Sequence, residues 1–331
     1  MLTPRFLITK VVLPIAIAVI VTYLLLSQIP LRSIPDALGR LPKTSLLIGF
    51  GLYVLFVWTK ALRFRELLQI NTPAHQLFPV LALHTFWSNL LPMRSGDVSY
   101  VYLMKRRENV NGTKSVASLV LASLIDIVLL VALLVATGWI NRANFATQLS
   151  YTAFLLVPSV MGGALVGLML VASLFPSACM RLADHCLGTV TRWQFRPINW
   201  FAQKLRRVVS ELTRLHFDWR FVRVWAYSAV SLMLRFGFQA YLISQMALDL
   251  PVVGLLFALA FTSLFNLLPI QSVGNFGTIE APFAWALMQL GVMQELALVS
   301  GFSLHLIILL YCLPLGLWGV IWKRRSHGIE D

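Results

Sequence analysis

The sequence predicts an all-α polytopic membrane protein, with about six full spans and two re-entrant helical hairpins in an inverted repeat. Composition is the first indication, because 58% of the 331 residues are hydrophobic and only 12% are charged, whereas about a quarter are charged in an average soluble domain. The mean hydropathy of +0.78 agrees with this. The other two indications are a series of long apolar runs and a short motif that occurs twice.

Six apolar runs are long enough to cross about 30 Å of hydrocarbon as helices. They cover residues 11–29, 45–58, 115–139, 151–175, 221–247 and 294–322. The first run is too long for a typical signal-peptide core, so we expect a retained span. The second is short and is expected to continue to Leu62. Two further runs, residues 75–91 and 251–268, can either just span the bilayer or enter it and return.

The distribution of Lys and Arg decides how these two shorter runs are placed, because cytoplasmic loops are rich in both residues. The net charge is +14, but the basic residues lie between apolar runs, which excludes nucleic acid as the expected partner. Residues 177–223 and the basic tail belong in the cytoplasm only if residues 75–91 enter from the inner side and residues 251–290 from the outer side. Both termini are then cytoplasmic. The basic loop at residues 31–43 does not follow this pattern.

The predicted organisation is a single membrane domain over residues 1–331. Each repeat is a span, a hairpin and a span, and the two have opposite orientations, as in many secondary transporters. A segment at residues 199–217 has an amphipathic pattern, which suits either a helix on the inner leaflet or a cover over the inner mouth of the bundle. The parts are the first span and outer loop (1–44), the first repeat (45–139), a linking span and basic cytoplasmic loop (151–223), the second repeat (224–322) and a cytoplasmic tail (323–331).

The repeated motif interrupts the two shorter apolar runs. Asn-Leu-Leu-Pro at residues 89–92 recurs at residues 266–269, 177 positions later. Both copies continue through glycine into a carboxylate, which is Asp97 in the first copy and Glu280 in the second. Proline interrupts a helix, and irregular backbone at membrane depth is tolerated only where protein or a water-filled cavity surrounds it. The two interruptions therefore predict a polar cavity.

Charged residues inside or beside the apolar runs are the candidates for chemistry. Asp126 and Arg235 lie mid-span, where an unpaired charge costs about 3 kcal/mol, so we expect them to face inward and consider them as partners. A structural ion pair and a role in transport are both open. Arg94 follows the first interruption and offers a planar fork for phosphate, while Arg63 and Arg65 can add a basic vestibule for an anionic headgroup.

The full set of candidate substrate-binding and translocation residues combines these charges with the residues around the two interruptions. The set is Arg63, Arg65, Asn89, Arg94, Gly96, Asp97, Asp126, Arg235, Asn266, Gly274, Gly277 and Glu280. His84 and His305 lie in apolar runs, where a packing role is more common than a proton relay.

Enzyme and metal motifs are absent from the sequence. It has no His-Glu-x-x-His and no Gly-x-Ser-x-Gly pattern, and no nucleophile with an evident base. Cys179, Cys186 and Cys312 have no metal-ligand spacing and form no disulfide framework. We therefore expect no catalytic residue, no metal and no cofactor.

These motifs resemble the membrane domain of lysylphosphatidylglycerol synthases, a flippase-like family that also occurs as stand-alone proteins. The resemblance covers about residues 11–322 and rests on Pro-x-Arg-x-Gly-Asp at residues 92–97, on Asp126 in the following span, and on Gly-x-x-Gly-x-x-Glu at residues 274–280. It implies a protein of the inner membrane that moves an aminoacylated, glycosylated or otherwise modified anionic lipid between leaflets.

The sequence departs from the family pattern at three positions. Val273 stands where the family often has glycine, and Ala122 and Ser123 replace an acidic and basic pair, so the resemblance supports a shared fold more than a shared substrate. The chain ends soon after Trp322 with no acyltransferase domain, and we do not expect it to transfer lysine itself.

The favoured hypothesis is a non-enzymatic lipid translocase that moves an anionic, modified or glycan-linked phospholipid between leaflets of the inner membrane. One alternative is an integral-membrane lipid-modifying transferase or polyprenyl-phosphate glycosyltransferase, although the sequence has no Asp-x-Asp pair for a metal-bound sugar nucleotide. Another is a non-catalytic partner of such an enzyme. The expected partners are therefore a membrane phospholipid or lipid-linked glycan and, for the last alternative, a lipid-modifying enzyme or glycosyltransferase.

Overall fold

The fold is built from helices throughout the residues that the computed structural model describes, and those residues contain no strand. The described ranges are 13–30, 32–92, 95–144, 219–246, 248–266 and 271–327, with a few single positions between 152 and 181. The α-helices in these ranges are α1 (Leu13–Leu26), α2 (Ser33–Arg40), α3 (Lys43–Leu68), α4 (Ala74–Leu90), α5 (Gly96–Arg107), α6 (Gly112–Ile140), α7 (Trp219–Ser244), α8 (Val252–Phe265), α9 (Glu280–Gln289) and α10 (Gln294–His327).

Helix length and composition support a multi-pass membrane protein. Within the described ranges, α3, α6 and the Gln294–Trp322 part of α10 are long and apolar enough to cross a membrane. Helix α7 has 26 residues and a length of about 39 Å. Helices α4 and α8 have 17 and 14 residues, which gives only about 25 and 21 Å and is less than the hydrocarbon thickness of about 30 Å. The number of full spans stays a prediction.

The order of long and short helices occurs twice. Helices α3 to α6 run long, short, short, long, and helices α7 to α10 repeat that order. The packing repeats as well: α3 packs against α7, α4 against α10, and α8 against α6, while α4 contacts α5 just as α8 contacts α9. When α3–α6 are matched in order with α7–α10, each of these contacts corresponds to itself or to another contact in this group. The two sets of helices are therefore similar in packing as well as in sequence.

The first helices of the two sets are antiparallel. The hydroxyl of Tyr241, near the end of α7, donates to Oγ of Ser45 at the start of α3, 3.1 Å away. At the opposite end, Nη2 of Arg223 lies 3.3 Å from Oε2 of Glu66. Helices α3 and α7 therefore run in opposite directions.

The short helices form two hairpins that start from opposite ends of the molecule. In the first, α5 runs back along α4, and Nδ1 of His84 lies 3.3 Å from the main-chain oxygen of Gly96. Its base lies where α3 ends, and there Thr72 donates to Glu108 over 2.7 Å. The second hairpin, α8 and α9, lies between the end of α7 and the start of α10. The tips of the two hairpins therefore point towards each other.

The structure corrects two predicted boundaries. Helix α3 was expected to stop near Leu62 but continues to Leu68, because the Arg63 side chain is buried against partners within the protein instead of facing lipid. The predicted outer loop at residues 31–43 contains helix α2, which buries Ile34. The predicted span at 151–175 falls largely outside the described residues, as do the whole amphipathic segment at 199–217 and the first two cysteines, Cys179 and Cys186. Cys312 is a buried free thiol.

Candidate functional site

A cavity of about 200 Å³ lies between the two hairpins and helices α3, α7 and α10. Both apolar and polar side chains line it, and 13 of its 21 described lining residues are polar, which is unusual for the interior of so apolar a chain. The polar lining residues are Tyr53, Lys60, Thr85, Ser88, Asn89, Arg235, Gln239, Thr262, Ser263, Asn266, Gln271, Asn275 and His305.

The repeated sequence motif supplies equivalent residues to this cavity. Asn89 and Asn266, which the sequence analysis selected, both line it. The same spacing of 177 residues relates Thr85 to Thr262, which line the cavity too. Each threonine hydroxyl donates to the main-chain oxygen four residues earlier in its own helix, over 2.7 and 2.8 Å. The hydroxyls thus need no further acceptor, and their oxygens can accept a bond from the cavity.

The tips of the two hairpins are in contact. Nδ2 of Asn275 lies 3.5 Å from the main-chain oxygen of Ser88 and 3.4 Å from that of Asn89, at the end of α4. Around Asn275 the chain makes a tight left-handed turn, with φ of 63° at Gly274, 59° at Asn275 and 78° at Gly277. Glycine adopts this conformation without strain and asparagine tolerates it. This turn brings the asparagine to the first hairpin.

Gly277 is required for a second reason. A Cβ atom at this position would lie 2.7 Å from Cγ1 of Val21 in α1, so a larger residue would displace the helix that covers the turn. Gly96 has the same kind of role in the first hairpin, where a Cβ would lie 2.5 Å from Cα of Ser88. Gly96 and Gly277 therefore permit close contacts in the two hairpins.

Two cations face the cavity. Nζ of Lys60 donates to Oγ1 of Thr85 over 3.1 Å, and the guanidinium of Arg235 lies over the Phe236 ring, 5.6 Å from its centroid. They occupy similar positions on α3 and α7, the antiparallel pair. Among the lining residues that the structure describes there is no carboxylate, so the cavity wall carries a net positive charge.

Glu280 lies behind the cavity wall and is fully buried. Its Oε2 accepts a hydrogen bond from the main-chain N–H of Gly277 over 2.7 Å, and its Oε1 lies 2.6 Å from Nδ1 of His305. His305 itself lines the cavity. Glu280 thus orients a cavity-lining imidazole and fixes the glycine turn, and His305 is a buried, hydrogen-bonded histidine.

Asp126 does not pair with Arg235, and the predicted partnership is wrong. Its Oδ1 lies 2.5 Å from Nη1 of Arg63, and the same nitrogen lies 3.5 Å from Oγ of Ser228. Helix α3 contacts both α6 and α7 and turns Arg63 towards Asp126, whereas Arg235 is turned into the cavity. Both residues lie near the middle of their helices, but position along a helix does not determine which way a side chain points around it.

The other candidates lie outside the cavity lining. Arg65 Nη2 is 3.3 Å from Oε1 of Glu66, and this pair lines a separate polar cavity of about 320 Å³ at the end of α3. Asp97 Oδ1 is 3.9 Å from Nε2 of His84, within the first hairpin. Arg94 lies outside the described residues.

Sequence reasoning missed several cavity residues. Lys60 lies within the predicted extension of the second run to Leu62 but was not among the candidates, and Gln239 and Asn275 stood out in no pattern. Thr85 and Thr262 could have been found, because they share the spacing of the asparagines. Uncharged side chains form most of the polar part of the wall, and charge within an apolar run does not reveal them.

A comparison with protein families agrees with the resemblance that the motifs indicated. The model of the lysylphosphatidylglycerol synthase TM region matches residues 11–316, which is nearly the whole chain. Comparison with curated proteins gave no match, and comparison with solved structures gave none. The chain therefore belongs to the family of the lysylphosphatidylglycerol synthase TM region.

Proposed function

We propose that the protein is a lipid translocase that moves an anionic, modified or glycan-linked phospholipid between leaflets of the inner membrane. Its family connects it with lipid modification or transport. The observation that carries the proposal is the contact between two interrupted helices from opposite ends of the molecule, around a polar cavity that contains Lys60 and Arg235.

In a bilayer, this arrangement becomes an inverted repeat of two re-entrant hairpins. Helices α4 and α8 are too short to cross, so each enters from one side and ends near the midplane. The end of the molecule with Arg107, Arg220 and Arg223 faces the cytoplasm, following the bias of basic residues. Discontinuous helices that meet at the midplane are the usual sites of substrate binding in secondary transporters.

The cavity offers a headgroup what hydrocarbon lacks. Arg235 supplies a planar fork of donors and Lys60 a compact charge, both suited to phosphate oxygens. The amides of Asn89 and Asn266 supply neutral hydrogen bonds on the two sides of the path. The acyl chains stay in the bilayer while the headgroup passes between the hairpin tips. Asp126 and Glu280 act indirectly, because they hold Arg63 and His305 in place.

The proposal is tested in vesicles that contain the purified full-length chain and a fluorescent phospholipid. A membrane-impermeant quencher reports how much label reaches the outer leaflet with time, for anionic, zwitterionic and aminoacylated headgroups. We expect faster inter-leaflet movement than in empty vesicles for at least one anionic headgroup. The Arg142→Gln variant is the control, because this arginine is exposed and does not line the cavity. Movement no faster than in empty vesicles for every headgroup would reject the proposal.

A further inference from the structure

We infer that the central cavity selects a headgroup that carries two negative charges on phosphate and no ammonium group, either a phosphomonoester or a diphosphate. This inference rests on the proposed function for the lipid nature of the ligand. The charge and hydrogen bonding of the cavity supply the rest.

The wall of the central cavity carries two cations for which the structure describes no carboxylate partner. Lys60 and Arg235 line the cavity, and in the part of the chain that the structure describes neither of them forms an ion pair. The carboxylates nearby have other partners: Asp126 binds Arg63, and Oδ1 of Asp97 lies 3.9 Å from Nε2 of His84. Glu280 binds His305 and the Gly277 amide. The two cations are therefore left for a ligand.

Two cations without a counter-ion carry an energetic cost in this cavity. Two cations on one small cavity in an apolar protein repel each other and lose hydration, and both costs fall when an anion enters. A headgroup with one negative charge neutralises only one of the two cations. A zwitterionic or aminoacylated headgroup brings an additional cation to a wall with no carboxylate to receive it. Specificity then arises from repulsion as well as from attraction.

The hydrogen-bonding groups and the volume of the cavity also indicate the kind of ligand. The hydroxyl of Tyr53 and Nε2 of His305 are buried and have no hydrogen-bond partner among the described residues, and both residues line the cavity. Buried polar atoms without partners are rare, so these atoms indicate a polar ligand. A volume of about 200 Å³ is sufficient for one phosphate or diphosphate group.

The inference is tested by titrating the full-length chain in nanodiscs of zwitterionic lipid, with binding followed by calorimetry. The dianionic probes are dihexanoyl phosphatidic acid and farnesyl diphosphate, which separate a glycerolipid source from a polyprenyl source. Dihexanoyl phosphatidylglycerol and phosphatidylcholine are the matched probes with one and no net charge. Inorganic diphosphate reports whether the apolar chain is needed.

We expect at least one dianionic lipid to bind about tenfold more tightly than phosphatidylglycerol, as one more close charge pair implies, and phosphatidylcholine not to compete. Lys60→Gln and Arg235→Gln should each remove this preference. Lys105 and Arg142 are exposed cations, so Lys105→Gln and Arg142→Gln are matched controls. Both should leave the preference for dianionic lipids intact. Thermal unfolding of each variant, together with Lys60→Arg, separates loss of charge from loss of the fold.

Three results would overturn the inference: equal or tighter binding of phosphatidylglycerol or phosphatidylcholine, a preference that survives Lys60→Gln with Arg235→Gln, or inorganic diphosphate binding as tightly as either lipid. These results are distinct from failure of the translocase. Dianionic preference without inter-leaflet movement would reject transport alone, whereas movement with no charge preference would reject this inference alone.

Discussion

The side-chain amide of Asn275 lies 3.4 Å from the main-chain oxygen of Asn89 and joins the two hairpins. The contact connects residues that are far apart in sequence and belong to opposite halves of the repeat. It lies beside the polar cavity, which both residues line. The two interrupted helices therefore meet at the edge of this cavity.

The Asn275→Asp variant removes the donor and keeps the size and the tolerance of a left-handed backbone. We expect it to lower the free energy of unfolding by at least about 1 kcal/mol, because two main-chain oxygens lose a shared donor and face a carboxylate instead. Denaturant unfolding in detergent provides the measurement. Asn109→Asp is the control, since Asn109 also has a positive φ, of 50°, but is exposed. Equal stability of the two variants would show that the contact does not join the hairpins.

Gly96 is expected to be irreplaceable in the first hairpin. In the Gly96→Ala variant the new Cβ lies 2.5 Å from the Ser88 backbone, and separating α5 from α4 should cost about 1–3 kcal/mol. Gly51→Ala is a matched change in an open part of α3, where the better helix former should leave stability unchanged or raise it by up to about 1 kcal/mol. Thermal unfolding compares the two, and a Gly96→Ala protein as stable as Gly51→Ala would contradict the hairpin packing.

Glu280 should matter for stability and for transport together. In Glu280→Gln, one side-chain oxygen becomes an NH₂ group, so either the Gly277 amide or the His305 ring loses its acceptor, at a cost of about 1–3 kcal/mol. Inter-leaflet movement should fall as well, since His305 lines the cavity. Glu295→Gln changes an exposed carboxylate near Ser33 and should have little effect. A Glu280→Gln protein that transports and unfolds like Glu295→Gln would show that the buried contacts are dispensable.

The partner of Asp126 can be measured by double-mutant cycles. With Arg63→Gln, Asp126→Asn and the double variant, we expect a coupling energy of at least about 1 kcal/mol, because Arg63 and Asp126 are in contact. The parallel cycle with Arg235→Gln should give a smaller value. A larger coupling energy in the Arg235 cycle than in the Arg63 cycle would support the pairing of Asp126 with Arg235 that the sequence suggested.

Much of the fold could be predicted from the sequence because hydropathy reports depth. The limits of α4 and α8, the two interruptions, and the placing of Asn89 and Asn266 at one cavity followed from apolar length and from a repeated motif. The direction of each side chain around its helix did not follow. Lys60 and Arg63 are three residues apart on α3, yet one lines the cavity and the other binds Asp126, and only packing against α6 and α7 separates these roles.

The central claim is that the hairpin tips enclose a polar path, and the most direct test is solvent access at Asn89. In a chain with Cys179, Cys186 and Cys312 replaced by serine, a single Asn89→Cys should react with a membrane-impermeant thiol reagent. Leu55→Cys, on an exposed part of α3, serves as the lipid-facing control and should not react. We predict labelling at position 89 and loss of inter-leaflet movement once it is labelled. A cysteine at position 89 as unreactive as the one at position 55 would contradict the account.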